Sequence, residues 1–239
     1  MIDGATYLVS ALLLWAMVMT PTEREAQPMS IRALWGEMVD GWHFLHRQAE
    51  LFSNTIVSAF SQIAVGAEVA CSALYALTVL DRSRIDYPLN YSLLMAAIGL
   101  GSIVGGVVIG AVAERFPKGP MSIAGFITFG LLFIFTAFVR DPLIAVVLFF
   151  GVGAANMVFL IPNITLFQQR TPQRLMGRVV STRQAMVFGV MALSMGGSGW
   201  LAGVLGPADG PAWVMAGAGA ISAVAAVAAI FVPSMRNAR

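Results

Sequence analysis

Seven apolar segments, each near the length of a bilayer crossing, limit what this chain can fold into. They lie at about 2–19, 51–79, 91–113, 120–139, 142–166, 179–204 and 212–232. A crossing helix takes roughly 17–25 residues. Within lipid every backbone N–H and C=O must be satisfied inside the segment, so stretches of this kind fold as helices. Composition agrees: 58% of the 239 residues are hydrophobic and 11% are charged, with a mean hydropathy of +0.81, against about 25% charged in a soluble domain. The fold class that follows is all-α, a polytopic membrane helix bundle of about seven transmembrane helices. Cys71 is the only cysteine, so no internal disulfide forms. No cleavable signal is evident: residues 5–19 are apolar, and acidic Asp3 stands where a basic segment would precede them.

The one sizeable polar stretch is 20–50. Within it Ile31, Leu34, Trp35, Met38, Trp42 and Leu45 recur at helical spacing, which predicts an amphipathic helix on the membrane surface or against the bundle. His43 and His46 lie three apart there but lack the further ligands a metal needs, so no metal site is expected. With alternating spans and 20–50 inside, eleven of the fourteen cations fall on the inner side; only Arg82, Arg84 and Arg140 fall outside. The positive-inside rule then orients the chain with its C-terminus cytoplasmic. Asp81 and Asp86 join Arg82 and Arg84 in what reads as a solvated outer loop.

Span 51–79 carries a carboxylate, Glu68, near its middle. An ionisable group at that depth costs about 2.5–3.5 kcal/mol on insertion scales and normally faces a cavity or a partner. Helical steps of three, four and seven from Glu68 reach Ser61, Cys71, Ser72 and Tyr75, so one face of the span is polar. Span 142–166 places Asn156 and Asn163 seven apart, again on one face, with Pro162 expected to bend it. Spans 91–113 and 179–204 are glycine-rich, which lets helices approach closely. Spans 120–139 and 212–232 are apolar throughout and read as lipid-facing; the first is rich in phenylalanine. The last six spans thus form a trio used twice. A trio has an odd number of crossings, so its copies are inverted, as in one half of a secondary transporter.

Three stretches carry a family likeness. Gly110-Ala-Val-Ala-Glu114-Arg115-Phe-Pro-Lys118 resembles the G-x-x-x-D-R-x-G-R loop of the major facilitator superfamily, with Glu114 for Asp and Pro117 for Gly. Thr171-Pro-Gln-Arg174-Leu-Met-Gly177-Arg178-Val-Val-Ser181 is similar to the segment before the eleventh helix of its drug and siderophore exporters, the macrolide and enterobactin efflux group. Asp3 to Leu14 resembles the sixth helix of that group. The resemblance covers the whole chain but only the back half of the family's twelve helices. It implies a division into 1–19, the final helix of an N-terminal bundle; 20–50, a cytoplasmic linker with an amphipathic helix; and 51–239, a C-terminal six-helix bundle.

On this resemblance the chain is expected to be the C-terminal half of a proton-coupled efflux carrier for a small amphipathic molecule, in a bacterial inner membrane. Its partners are lipid, substrate, protons, and an N-terminal bundle, a second copy or a partner chain. Glu68, Tyr75, Asn156 and Asn163 are the expected substrate and proton pathway. Glu68 is the group expected to exchange the proton, and a cationic substrate could compete for it. Gly110, Glu114, Arg115, Lys118, Arg178 and Arg183 are the expected gate, with Arg178 or Arg183 near Glu114. A non-transporting membrane subunit with the same half-bundle is the alternative.

Enzyme chemistry is not expected. Gly151-Val-Gly153-Ala-Ala-Asn156 lacks the last glycine and the strand–turn–helix setting of a dinucleotide site. Gly196-Gly197-Ser198-Gly199 is no nucleophile elbow, and no histidine lies in a span to serve it. The cations do not cluster with aromatics as a nucleic-acid surface requires. No cofactor is implied.

Overall fold

A computed structural model describes residues 2–16, 31–112 and 116–232. The chain divides into two units, Met1–Leu34 and Trp35–Arg239. The first holds helix α1 (Ile2–Ala16), whose residues 7–13 are all exposed. At 15 residues this helix is shorter than a full crossing; residues 17–19 of the predicted segment lie outside the described part. Helix α2 (Ile31–Arg47) begins at the end of that unit and continues into the second.

From Trp35 onward only Leu45 of the predicted apolar set is buried, while Met38 and Trp42 are exposed. Leu45 is fully buried against Leu51, Phe167 and Val179, whereas Trp35 is exposed. Six further helices follow: α3 (Ala49–Leu74), extended by a π-helical turn at Tyr75–Val79, α4 (Leu89–Val112), α5 (Lys118–Thr136), α6 (Pro142–Arg170), α7 (Met176–Leu205) and α8 (Gly210–Ile230). All six are long and apolar enough to cross a membrane, and no strand occurs among the described residues. The boundaries follow local chemistry. Asp141 caps α6 by accepting from the Leu143 and Ile144 amides, with Pro142 at the first helical position, where its missing N–H costs nothing.

The trios exchange their leading helices. The first helix of the leading trio, α3, packs on α7 and α8 of the other. The first helix of the second trio, α6, packs on α4 and α5 of the leading one, and α5 and α8 pack on each other. Exchanging α3 with α6, α4 with α7 and α5 with α8 therefore maps the main contacts onto themselves, which is the 3+3 arrangement expected from the span types.

Close approach at these crossings depends on particular glycines. A Cβ on Gly101 of α4 would collide with the Phe150 carbonyl of α6, and one on Gly153 of α6 would collide with the Ile98 carbonyl of α4. At the crossing of α3 with α7 the space comes from Gly66 of α3, against Ser194. The expectation for span 179–204 is corrected here: Gly189, Gly196, Gly197, Gly199 and Gly203 have no neighbour for an added Cβ within 4 Å. The lipid-facing reading of the apolar third spans is also corrected. Phe126, Phe129 and Phe133 of α5 are buried, Phe126 stacking on Phe159 of α6; only Phe135 and Phe138 of that set point outward. Aromatic bulk fills the seam where the trios meet.

The end of the bundle farthest from α2 is tied by ion pairs between its three loops. Arg84 binds Asp141 at 2.5 Å and Arg140 binds Asp209 at 2.6 Å, while the Asp81 amide donates to the Arg140 carbonyl at 2.7 Å. The loop cations are exposed as expected, but Arg84 is paired across loops rather than merely solvated. The α2 end carries ion pairs of its own, Glu50 with Arg170 and Glu37 and Asp40 with Arg178, and a cavity lies on that half of the bundle.

Candidate substrate cavity

The cavity measures about 1080 Å³ and lies between the first half of α3, the second half of α6 and the first half of α7. These three helices reach it because each trio places its leading helix centrally. Apolar surface comes from Phe159, Leu160, Ile164, Phe188, Met176 and Met191. Polar surface comes from serines and amides, among them Ser61, Gln62, Asn156 and Gln184. Arg183 is the only charged side chain in the lining among the described residues. This volume and mixture suit a small amphipathic molecule.

Arg183 is held with care. It is 8% exposed, and its Nη2 donates to Asn163 Oδ1 at 2.7 Å and to Ser58 Oγ at 3.0 Å. Asn163 Nδ2 in turn donates to Ser58 Oγ at 2.9 Å, and the serine proton goes to the Asn54 carbonyl at 2.7 Å. Ser58 of α3, Asn163 of α6 and Arg183 of α7 thus lock three helices together. The Phe167 ring lies under the guanidinium, 4.7 Å from centroid to carbon, a cation–π contact. Nη2 has spent both its protons. Nη1 has no partner among the described residues, and Nε is buried without one.

The structure distributes the sequence-predicted residues as follows. Asn156 lines the cavity and Asn163 sits directly behind it, holding Arg183. Glu68 does not line it. Glu68 lies one turn beyond the lining residue Val65 on α3, half-buried, with no hydrogen bond or ion pair among the described residues. Tyr75 is corrected from pathway to core: it is fully buried, stacks on Phe149, and shares its hydroxyl proton between the Val139 and Thr136 carbonyls at 3.0 and 3.2 Å. The α-helical step from Glu68 to Tyr75 holds, since the π turn begins only at Tyr75, but it carries that residue past the cavity into the far-end seal, against α5 and α6. There Asn90 Nδ2 donates to the Ala76 carbonyl at 2.6 Å.

Of the expected gate, Glu114 and Arg115 lie outside the described residues. Gly110 is exposed with open space around it, and Lys118 bonds Gln169 of α6. Arg178 pairs with Glu37 and Asp40 of α2, both at 3.3 Å. Arg183 is drawn into the cavity wall with Asn163. The signal that could have found it was in the sequence: Arg183 falls inside the apolar segment 179–204, so the reasoning applied to Glu68 applies equally to it. Ser58 and Gln62 gave no such signal.

The Major Facilitator Superfamily model matches residues 1–196 and, in a second overlapping match, residues 88–239. No curated protein matches.

Proposed function

The chain belongs to the major facilitator superfamily and is a membrane transporter; on that premise we propose that it works as one bundle of a proton-coupled efflux carrier for a small amphipathic molecule of drug or siderophore type. The observation that carries this is the cavity of about 1080 Å³, walled by α3, α6 and α7 and reaching Gln173 and Met176 toward the α2 end. Alternating access requires two bundles rocking about a site between them. Residues 51–239 are the C-terminal bundle of the proposal, 20–50 its linker and 1–19 the final helix of an N-terminal bundle; one six-helix bundle supplies one wall and leaves the opposite wall to be filled. An N-terminal bundle, a second copy or a partner chain supplies that wall. Placement in a bacterial inner membrane with the C-terminus cytoplasmic is part of the same proposal, supported by the excess of cations on the α2 side. The cavity then opens to the cytoplasm, as loading for efflux requires.

Glu68 is the proposed proton site. A mid-span carboxylate that is half-buried and free of any partner among the described residues supports this. Arg178, with Glu37 and Asp40, is proposed to gate the α2 end together with the Gly110–Lys118 loop, since α2 must release α7 for that end to close.

The test uses proteoliposomes carrying the chain with whatever bundle co-purifies with it. Three probes share one aromatic frame: 2-naphthoate, 2-naphthamide and a naphthylmethylammonium. The expected result is uphill movement of at least one probe only while a pH gradient stands, with Glu68→Gln abolishing that dependence. Movement that ignores both the gradient and Glu68→Gln overturns proton coupling; movement of none overturns efflux of this class.

A further inference from the structure

We propose that the cavity selects an anionic amphipathic molecule, one whose carboxylate or equivalent anionic group is anchored by Arg183. The proposal rests on the transport reading above and narrows its substrate class.

The argument begins with charge balance. Arg183 is more than nine-tenths buried, yet its hydrogen-bond partners, Ser58 and Asn163, are both neutral. Among the described lining residues there is no aspartate or glutamate. The remaining acids nearby among the described residues are used or distant. Glu50 binds Arg170 at 3.3 Å, and Glu37 and Asp40 bind Arg178. Glu68 lies ten residues along α3 from Ser58, about 15 Å at the helical rise. A buried cation without a counter-ion is costly, and that cost is recovered when an opposite charge arrives. Neutral hydrogen bonds and the Phe167 ring hold the guanidinium in place beforehand, so the anion meets a fixed donor and little ordering is lost on binding.

The donors point the same way. Nη2 is saturated by Asn163 and Ser58, which leaves Nη1 as the terminal nitrogen free of protein partners among the described residues. A charge-assisted bond to an anion is the strongest use of such a donor. Around it Phe159, Phe188 and Met191 offer apolar surface to the rest of the molecule, and methionine adapts to varied shapes. Arg174, next in sequence to the lining residue Gln173, is exposed and has no acidic partner among the described residues. A cation competing at Glu68 finds none of this: the cavity presents it only a like charge.

The test is equilibrium dialysis of the three naphthalene probes against the purified chain in nanodiscs of neutral lipid. Wild type is expected to bind 2-naphthoate at least about tenfold more tightly than 2-naphthamide or the ammonium, as a charge-assisted bond implies. Arg183→Gln should bring the carboxylate and the amide within about twofold of each other. Because Arg183→Gln removes contacts between three helices, a second variant leaves the cation in place. Asn163→Asp puts a carboxylate where the amide oxygen now sits 2.7 Å from Nη2, and it should abolish the same preference with the fold retained. Equal or tighter binding of the amide or the ammonium by wild type overturns the anionic class and leaves the cavity as a substrate site. A naphthoate preference that survives both variants overturns Arg183 as the anchor. Binding of none of the probes overturns the cavity itself, and the transport reading with it.

Discussion

Glu68 and Arg183 both lie well inside described spans, and the fold treats them in opposite ways. Arg183 is fixed by Ser58, Asn163 and Phe167; Glu68 is fixed by nothing among the described residues. A charged group meant to hold position needs its bonds satisfied, while one meant to trade a proton must be able to let go. Asn163 is accordingly a structural keystone. Asn163→Leu removes an acceptor from a buried guanidinium and a donor from Ser58, and hydrogen bonds to charged groups are worth about 1.5–3 kcal/mol. A loss of that order is expected in denaturant titration of the purified chain in mixed micelles. Tyr75 tests the other side of the distinction. Tyr75→Phe deletes one hydroxyl shared by two carbonyls at the far end, so stability should fall by about 0.5–1.5 kcal/mol. The Glu68-dependent proton response should not change. Had Tyr75 lined the pathway, the loss would appear in transport instead. Helical periodicity put Ser61 and Tyr75 on one face, but it could not show that the cavity lining on α3 ends at Val65 and that the same face is packed by other helices beyond it.

At the scale of the helix, glycine content and glycine use part company. A methyl group added at Gly153 on α6 would run into the Ile98 carbonyl, whereas one at Gly110 on α4 would face open space. Gly153→Ala should force α4 and α6 apart at a cost of about 1–3 kcal/mol, the usual range for overpacking. Gly110→Ala should be neutral or slightly stabilising through helix propensity. Side-by-side unfolding curves of the two variants check this; equal losses would mean the crossing is looser than described. The loop between α3 and α4 carries a pH dependence. Asp81 is held below the usual aspartate range by hydrogen bonds from Ser83, and Asp86 by the Arg82 hydrogen bond and the Tyr87 amide. A lowered folded pKa adds stability that is fully present above the unfolded value, about 3.9, and is lost as pH falls through the folded one. Exchange of the Ser83 and Tyr87 amides should therefore show protection at pH 5 that fades below about pH 4, once corrected for intrinsic rates. The sequence shows which spans hold glycine. It cannot show which glycine meets a backbone, since that depends on the trio exchange.

The whole bundle follows from that exchange. Each trio's leading helix is polar on one face, and packing it on the opposite trio brings both polar faces to one central space. Span lengths and span types anticipated the last six of the seven expected crossing helices and their doubled trio, because lipid enforces both through backbone satisfaction; the first expected span is described only as the 15-residue α1. The convergence of Ser58, Asn163 and Arg183 was not legible. It joins positions 105 and 125 residues from Ser58, and nothing local marks such a pairing. The same architecture sets the two groups of loops at opposite ends of the bundle. Ser83 lies in the tied loops at the far end, and Gln173 lies at the α2 end beside the cavity mouth; both are exposed. Cys71, the only native cysteine, is fully buried, so an introduced thiol can be read without background. In intact cells a membrane-impermeant maleimide should label Ser83→Cys and spare Gln173→Cys. Permeabilised cells should show both labelled. The reverse pattern would turn the bundle over, open the cavity to the outside and end the efflux reading. Labelling of both from outside would break the trio itself, because three crossings must carry successive copies to opposite faces.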